Sequence, residues 1–232
     1  MPSRSVIESR MKEERWPLPS LLQPQDCALV IVDVQNDFCA PDGYFARHGF
    51  DLGEPRSILS PLQLVLAEAR RLSVLTVYVQ YTQLPDGSTL SEAHKRGLYH
   101  DPREPQYCVL HTPGHDVAPE IMPQPSDVAI QKFRASAFHR TGLDIVLRAN
   151  GVRTCIFTGL VTEGCVEASA RAAVMHDYFG IVLTDAVASF SPQLHQAALT
   201  LMSATMDCIP SAALIEIWNN HQEGDSTPGR NR

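Results

Sequence analysis

The run Ala28–Val34, ALVIVDV, limits the fold of this chain more than any other feature. It is almost continuously apolar and rich in β-branched residues, and it is too short to be a buried helix. It reads as a strand covered on both faces. Such strands belong to parallel sheets, whose crossover connections lay helices over both sides. The rest of the chain supplies those helices. Glu54–Leu72 sets Ile58, Leu62, Val65, Leu66, Ala69 and Leu72 at helical spacing. Val74–Tyr81 reads as a second strand, Asp127–Gln131 as a short third, Arg153–Thr158 as a fourth and Ile181–Thr184 as a fifth, and a short sixth begins near Ile209. Helices are expected over Thr141–Asn150 (ended by Gly151), Gly164–Tyr178, Pro192–Met206 and Ser211–Asn219. Strands alternating with helices predict an α/β chain, a three-layer α/β/α sandwich around a mostly parallel, Rossmann-like sheet.

The expected organisation is an N-terminal arm over 1–25, one domain over 26–220 and a flexible tail over 221–232. A net charge of −7 provides no basic face for phosphates, so nucleic acid is not an expected partner. The N-terminal residues carry no apolar leader and no run is long enough to cross a bilayer, so a cytoplasmic location is expected, away from membranes. The six cysteines form no C-x-x-C pair, and Cys27 and Cys155 read as core thiols. The irregular stretch from Thr82 to Ser126 is long enough to be a lid or an oligomer contact.

Ligands of open parallel sheets sit beyond the carboxyl ends of the strands. Three reactive groups are expected there. Asp33 ends the first strand, Lys132 follows the third, and Cys165 follows the fourth after a glycine-bearing turn and opens a helix. A helix N-terminus and a lysine both favour thiolate. A carboxylate can take the thiol proton and return it to a leaving amine. Backbone N–H groups of the turn are candidate oxyanion donors. Each residue also has an ordinary reading: a turn aspartate, a surface lysine, a core thiol.

The stretches ALVIVDVQNDFCAPDGY, VAIQKFRASAF and VRTCIFTGLVTEGCVEASARAA resemble, in that order, three motifs of the isochorismatase-like cysteine hydrolases. The resemblance implies the isochorismatase-like fold, with Asp33 as base, Lys132 as its partner and Cys165 as nucleophile. It also implies a cis peptide between Leu160 and Val161, an oxyanion hole from the Val161 and Cys165 N–H groups, no cofactor, and a homo-oligomer, dimer or tetramer. Members acting on isochorismate lack the cysteine. Nicotinamidases carry an Asp and two His as metal ligands after the first strand, whereas Asp42–Asp51 here holds a single His48, so no metal is expected. Gly43-Tyr44, Gly49-Phe50-Asp51, HDYFGIVLTDA and KFRASAF resemble the ureide-cleaving branch of ureidoacrylate, biuret and N-carbamoylsarcosine hydrolases. The implied substrate is a small amide or ureide, with a nicotinamidase-like deamidase or a non-catalytic binding protein as alternatives. Thr205 stands where biuret hydrolases are expected to use a Gln, which argues against biuret itself.

Further candidates for the substrate pocket are Phe38, Gln35, Tyr44, Phe138 and Glu163. Core packing competes for the three aromatics, turn capping for Gln35 with Asn36 and Asp37, and a solvated turn for Glu163. His94, His100, His111 and His115 crowd the long segment without tight ligand spacing, and the charges of Ser91–Glu104 read as a solvated face.

Overall fold

The computed structural model describes residues 16–97 and 106–225. Six strands, β1 (Cys27–Val32), β2 (Leu75–Tyr81), β3 (Val128–Lys132), β4 (Thr154–Leu160), β5 (Phe179–Ala188) and β6 (Asp207–Ile209), form one sheet in the order β3-β2-β1-β4-β5-β6. All five pairings are parallel. Four short helices, α1 (Leu18–Leu21), α2 (Asn36–Cys39), α3 (Tyr44–Arg47) and α4 (Gly53–Ser57), precede α5 (Leu59–Arg71). The connections further along carry α6 (Glu92–Gly97), α7 (Leu143–Ala149), α8 (Glu167–Met175), α9 (Pro192–Ser203) and α10 (Ser211–Asp225).

β1 explains the layering. Its side chains alternate between two cores, as a pleated strand requires. Cys27, Leu29 and Ile31 join Leu62 and Leu66 of α5 and Leu214 and Trp218 of α10. Ala28, Val30 and Val32 join Leu143 and Leu147 of α7, Ala170 and Ala173 of α8 and Met202 of α9. The result is the expected α/β/α sandwich. Strand order reverses between β1 and β4, which opens a crevice at their carboxyl ends. Gly159 makes that junction possible. Its φ is 108°, and a Cβ there would stand 2.0 Å from the Val32 carbonyl oxygen.

Several elements differ from their sequence reading. The helix expected over Glu54–Leu72 is two helices, α4 and α5, because Pro61 has no N–H to offer the Ser57 carbonyl. β5 runs on to Ala188, through a register shift that sets Gly159 against Val187. Asp185 looked like the end of that strand, but its carboxylate is occupied by α10, accepting from Ser211 N at 2.7 Å and Ser211 Oγ at 2.6 Å. α10 extends past Asn219 to Asp225, so part of the expected tail is helical. The described part of the arm is packed: Leu22 is fully buried and its carbonyl accepts from Trp218 Nε1 at 3.1 Å. Residues 1–15 and 226–232, the rest of the arm and tail, lie outside the described residues.

The described parts of the long segment are tied to the sheet. Asp37, 6% exposed, accepts from Tyr44 N at 2.9 Å through Oδ1 and from Cys108 N at 2.6 Å through Oδ2. Gly114 lets that carboxylate in, since a Cβ there would lie 2.2 Å from Asp37 Oδ2. His115 reaches Thr82 Oγ1 at 2.9 Å, and His100 and Glu104 fall outside the described residues.

Candidate active site

Asp33 follows β1 in a left-handed conformation, φ 54°, with its N–H donated to Val79 of β2. Aspartate tolerates this region better than most residues. Its Oδ1 accepts the Tyr81 N–H at 2.7 Å. Oδ2 is buried, has no well-aligned hydrogen-bond donor, and lies 2.7 Å from Lys132 Nζ. Lys132 ends β3, two strands away from β1. At roughly 5 Å per strand, only a long side chain spans that gap. The stem passes the Tyr81 ring, with Nζ 5.1 Å from its centroid. Beyond it, Nζ donates to Cys165 Sγ at 3.1 Å and to the Arg134 carbonyl at 3.2 Å. One ammonium therefore bridges the carboxylate and the sulfur.

Cys165 does not open an α-helix, as the sequence reading had it. It sits in a π-turn, Thr162–Val166, that leads into α8. Wider turns of this kind favour functional sites. Ser169 fixes the turn: its Oγ donates to the Cys165 carbonyl at 2.6 Å and accepts from Ala137 N at 2.8 Å, coupling it to the loop after Lys132. Thr162 Oγ1 is 2.8 Å from His195 Nδ1, anchoring the turn to α9. The Leu160–Val161 peptide is cis.

Electrostatics modify one expectation. Burial, and then Asp33, push the Cys165 thiol up to about 12, with Lys132 opposing. The resting sulfur is a thiol rather than a thiolate, because loss of water outweighs the lysine and the turn. Burial would by itself lower Lys132, but Asp33 and Cys165 outweigh it and hold the ammonium above its ordinary 10.5. Burial also lifts Asp33 above 3.8, against the pull of Lys132. At neutral pH the cluster holds one ammonium and a single negative charge, with Asp33 placed to take the thiol proton.

Cys165 is partly exposed, whereas Asp33 and Lys132 are fully buried. It opens onto a cavity of about 300 Å³ walled by Phe38, Phe45, Tyr81, His94, Tyr107 and Phe190. Val161 and Gly164 border the sulfur. A larger surface groove, about 1180 Å³, runs past Asn36, Arg56 and Glu120 and touches none of the three reactive groups, so it is not the candidate site.

Of the five expected pocket residues, only Phe38 lines this cavity. Gln35 is fully buried, with Nε2 donated to the carbonyls of Tyr81 (3.1 Å) and His115 (2.8 Å); it braces the long segment. Tyr44 lies behind Phe45 and stacks on His48 at 4.0 Å. Phe138 is in the core beneath α7 and α8, stacked on His176 at 5.0 Å. Glu163 turns to Ser189, whose Oγ donates to Oε1 at 2.8 Å. Thr205 lies beyond the end of α9, at the amino edge of β5 beside Phe179 and Gly180, too far round the sheet to read a substrate at Cys165. The argument it offered against biuret therefore falls. Sequence reasoning missed Tyr81 and Phe190, although both stand at carboxyl ends of strands, where the ligand rule points.

A family model described as Isochorismatase domain matches residues 27–213. A cysteine hydrolase from Pseudomonas syringae pv. phaseolicola 1448A is similar at 28% identity and TM-score 0.74, over 89% of this chain and 96% of that one. N-carbamoylsarcosine amidase from Thermoplasma acidophilum is similar at 28% identity and TM-score 0.64, over 80% and 96%. The pyrazinamidase of Pyrococcus horikoshii, in complex with zinc, is similar at 26% identity and TM-score 0.66, over 80% and 99%. The donors for such a metal do not fit here. Among the described residues no three His, Cys, Asp or Glu side chains are grouped to share an ion. His48 Nδ1 is 2.7 Å from the Tyr44 carbonyl, and His94 is bonded to Tyr81. A parallel α/β/α sandwich, a cysteine after β4 and a family match over most of its length together show that this chain belongs to the isochorismatase-domain family of hydrolases.

Proposed function

We propose that the protein is a cysteine amidohydrolase that cleaves a C–N bond of a small ureide or amide. The observation that carries this reading is the shared ammonium, 2.7 Å from Asp33 Oδ2 and 3.1 Å from Cys165 Sγ, at the floor of a cavity sized for a small molecule. Asp33 takes the thiol proton as the sulfur attacks the carbonyl. Lys132 balances the charge as it moves from carboxylate to sulfur. The Val161 and Cys165 N–H groups receive the oxyanion. Protonated Asp33 then gives its proton to the departing nitrogen, leaving a thioester, or a thiocarbamate from a ureide. Asp33 deprotonates a water that releases the acid and regenerates the thiol. The likeness to N-carbamoylsarcosine amidase supports the ureide end of the substrate range, and that to pyrazinamidase the aromatic amide end.

The test is ammonia release over a panel of biuret, carbamoyl amino acids, ureidoacrylate and simple amides. Cys165→Ala should abolish turnover and leave the circular dichroism spectrum and melting transition intact. Retained turnover would end the proposal. A non-catalytic binding protein would instead show no selective iodoacetamide labelling of Cys165 among its six cysteines.

A further inference from the structure

The walls of the cavity narrow the substrate class, on the assumption that the amidohydrolase reading holds. Phe38, Phe45, Tyr107 and Phe190 present rings to it. They are held by one another: Phe45 stacks on Phe190 at 4.6 Å and on Phe38 at 4.9 Å, and Tyr107 packs on Phe45 at 5.1 Å. A preformed ring-walled slot of this kind takes a flat apolar group with little loss of side-chain freedom.

The polar content is small and uncharged. Tyr81 Oη is hydrogen-bonded to Gln83 Nε2 at 3.1 Å and to His94 Nε2 at 3.1 Å. The His94 ring therefore offers the cavity one further atom, Nδ1, which has no partner among the described residues. Burial, Arg134 and Lys132 all lower the His94 pKa from 6.5, so the ring is neutral at pH 7. Lys132 is committed to Asp33 and Cys165. Arg134 is outside the lining and gives Nη1 to the Thr89 carbonyl at 3.0 Å. Among the described residues no free cation meets the cavity, so a substrate carboxylate would lose its water with nothing in return.

We propose that the cavity selects uncharged amides whose non-reacting part is a flat, apolar or aromatic group, and that His94, held by Tyr81, is the specificity residue that reads a single polar substituent on that group. Carbamoyl amino acids and other anionic ureides are disfavoured. A neutral amide reacts with water to give one carboxylate and one ammonium, so nothing beyond the triad and water is required.

The probes are benzamide, 3- and 4-(hydroxymethyl)benzamide, 4-carboxybenzamide and N-carbamoylglycine. Each is assayed for ammonia release and for protection of Cys165 against iodoacetamide. The neutral ring amides should protect Cys165 and show kcat/KM at least roughly tenfold above both anions, as expected when a desolvated charge goes unpaired. His94→Phe should lower kcat/KM for the better hydroxymethyl compound by about tenfold, mainly through KM, while benzamide changes little. His94→Asn, which keeps a hydrogen-bonding group, should recover part of that loss. Equal or better turnover of either anion, or no protection by any neutral ring amide, overturns the inference and leaves the amidohydrolase reading standing. A His94→Phe effect of the same size on benzamide overturns the role of His94. Unselective labelling of Cys165 removes the amidohydrolase reading and this inference with it.

Discussion

Lys132 is the residue on which both chemistry and stability turn. It is fully buried, and so is its partner Asp33. Removing one member of a buried ion pair strands the other charge, at roughly 3–5 kcal/mol. Lys132→Met should lower stability by about that amount in urea titration and abolish ammonia release. The double variant Asp33→Asn, Lys132→Met should regain most of the stability and none of the activity, since no buried charge remains unpaired. The signs of the pKa shifts also set the pH profile. Asp33 must be ionised to act, and burial lifts it above 3.8, so the acid limb of kcat/KM should lie above 3.8 and activity should fall as pH drops through it. Lys132 is held above 10.5, so its contribution to stability is present below 10.5 and is lost as pH rises through its folded value. No alkaline limb in kcat/KM should appear below pH 10.5. The three reactive residues were legible in the sequence because each follows an apolar run that can only be a buried strand, and the carboxyl edge of a parallel sheet gathers whatever such runs end in. Gln35 and Tyr44 were not, because the direction each faces depends on the long segment packed over it.

At the scale of elements, the site depends on two close approaches that glycines permit. Gly159→Ala would press a methyl into the Val32 carbonyl at φ 108°. A cost of about 3 kcal/mol or more is expected, read as a lower denaturation midpoint, together with lost activity because β4 would move away from β1. Asp37→Ala would leave the N–H groups of Tyr44 and Cys108 buried and unpaired, at roughly 2–3 kcal/mol. It should also loosen the long segment, which limited proteolysis would show as earlier cleavage between Thr82 and Ser126. Neither residue stood out beforehand. A glycine in an apolar strand carries no mark of which neighbour needs it, and an aspartate in a turn reads as a local cap until the chain seventy residues on is seen to donate to it. The π-turn at Cys165 was hidden for a similar reason: helical propensity does not separate a π-turn from an α-turn, and the choice is made by Ser169 and Thr162 bonding to other elements.

Across the whole molecule, alternation of strand and helix was enough to give the α/β/α layers, because the apolar periods of two and three to four residues leave each element one way to bury itself. The ends of the chain were read less well. Segments poor in apolar residues looked like an arm and a tail, yet Leu22 and Trp218 lock the described parts of both together. Trp218→Ala should cost about 3–5 kcal/mol, since a fully buried indole and its hydrogen bond to the Leu22 carbonyl are lost together.

The central claim is that Cys165 carries the acyl group between two half-reactions. It is tested most directly by quenching the protein in acid during turnover of a benzamide or ureide and mapping the adduct by peptide mass spectrometry. The account predicts an acyl or carbamoyl mass on Cys165 alone, absent in Asp33→Asn. An adduct on another residue, or steady turnover with Cys165 replaced by alanine, would contradict it.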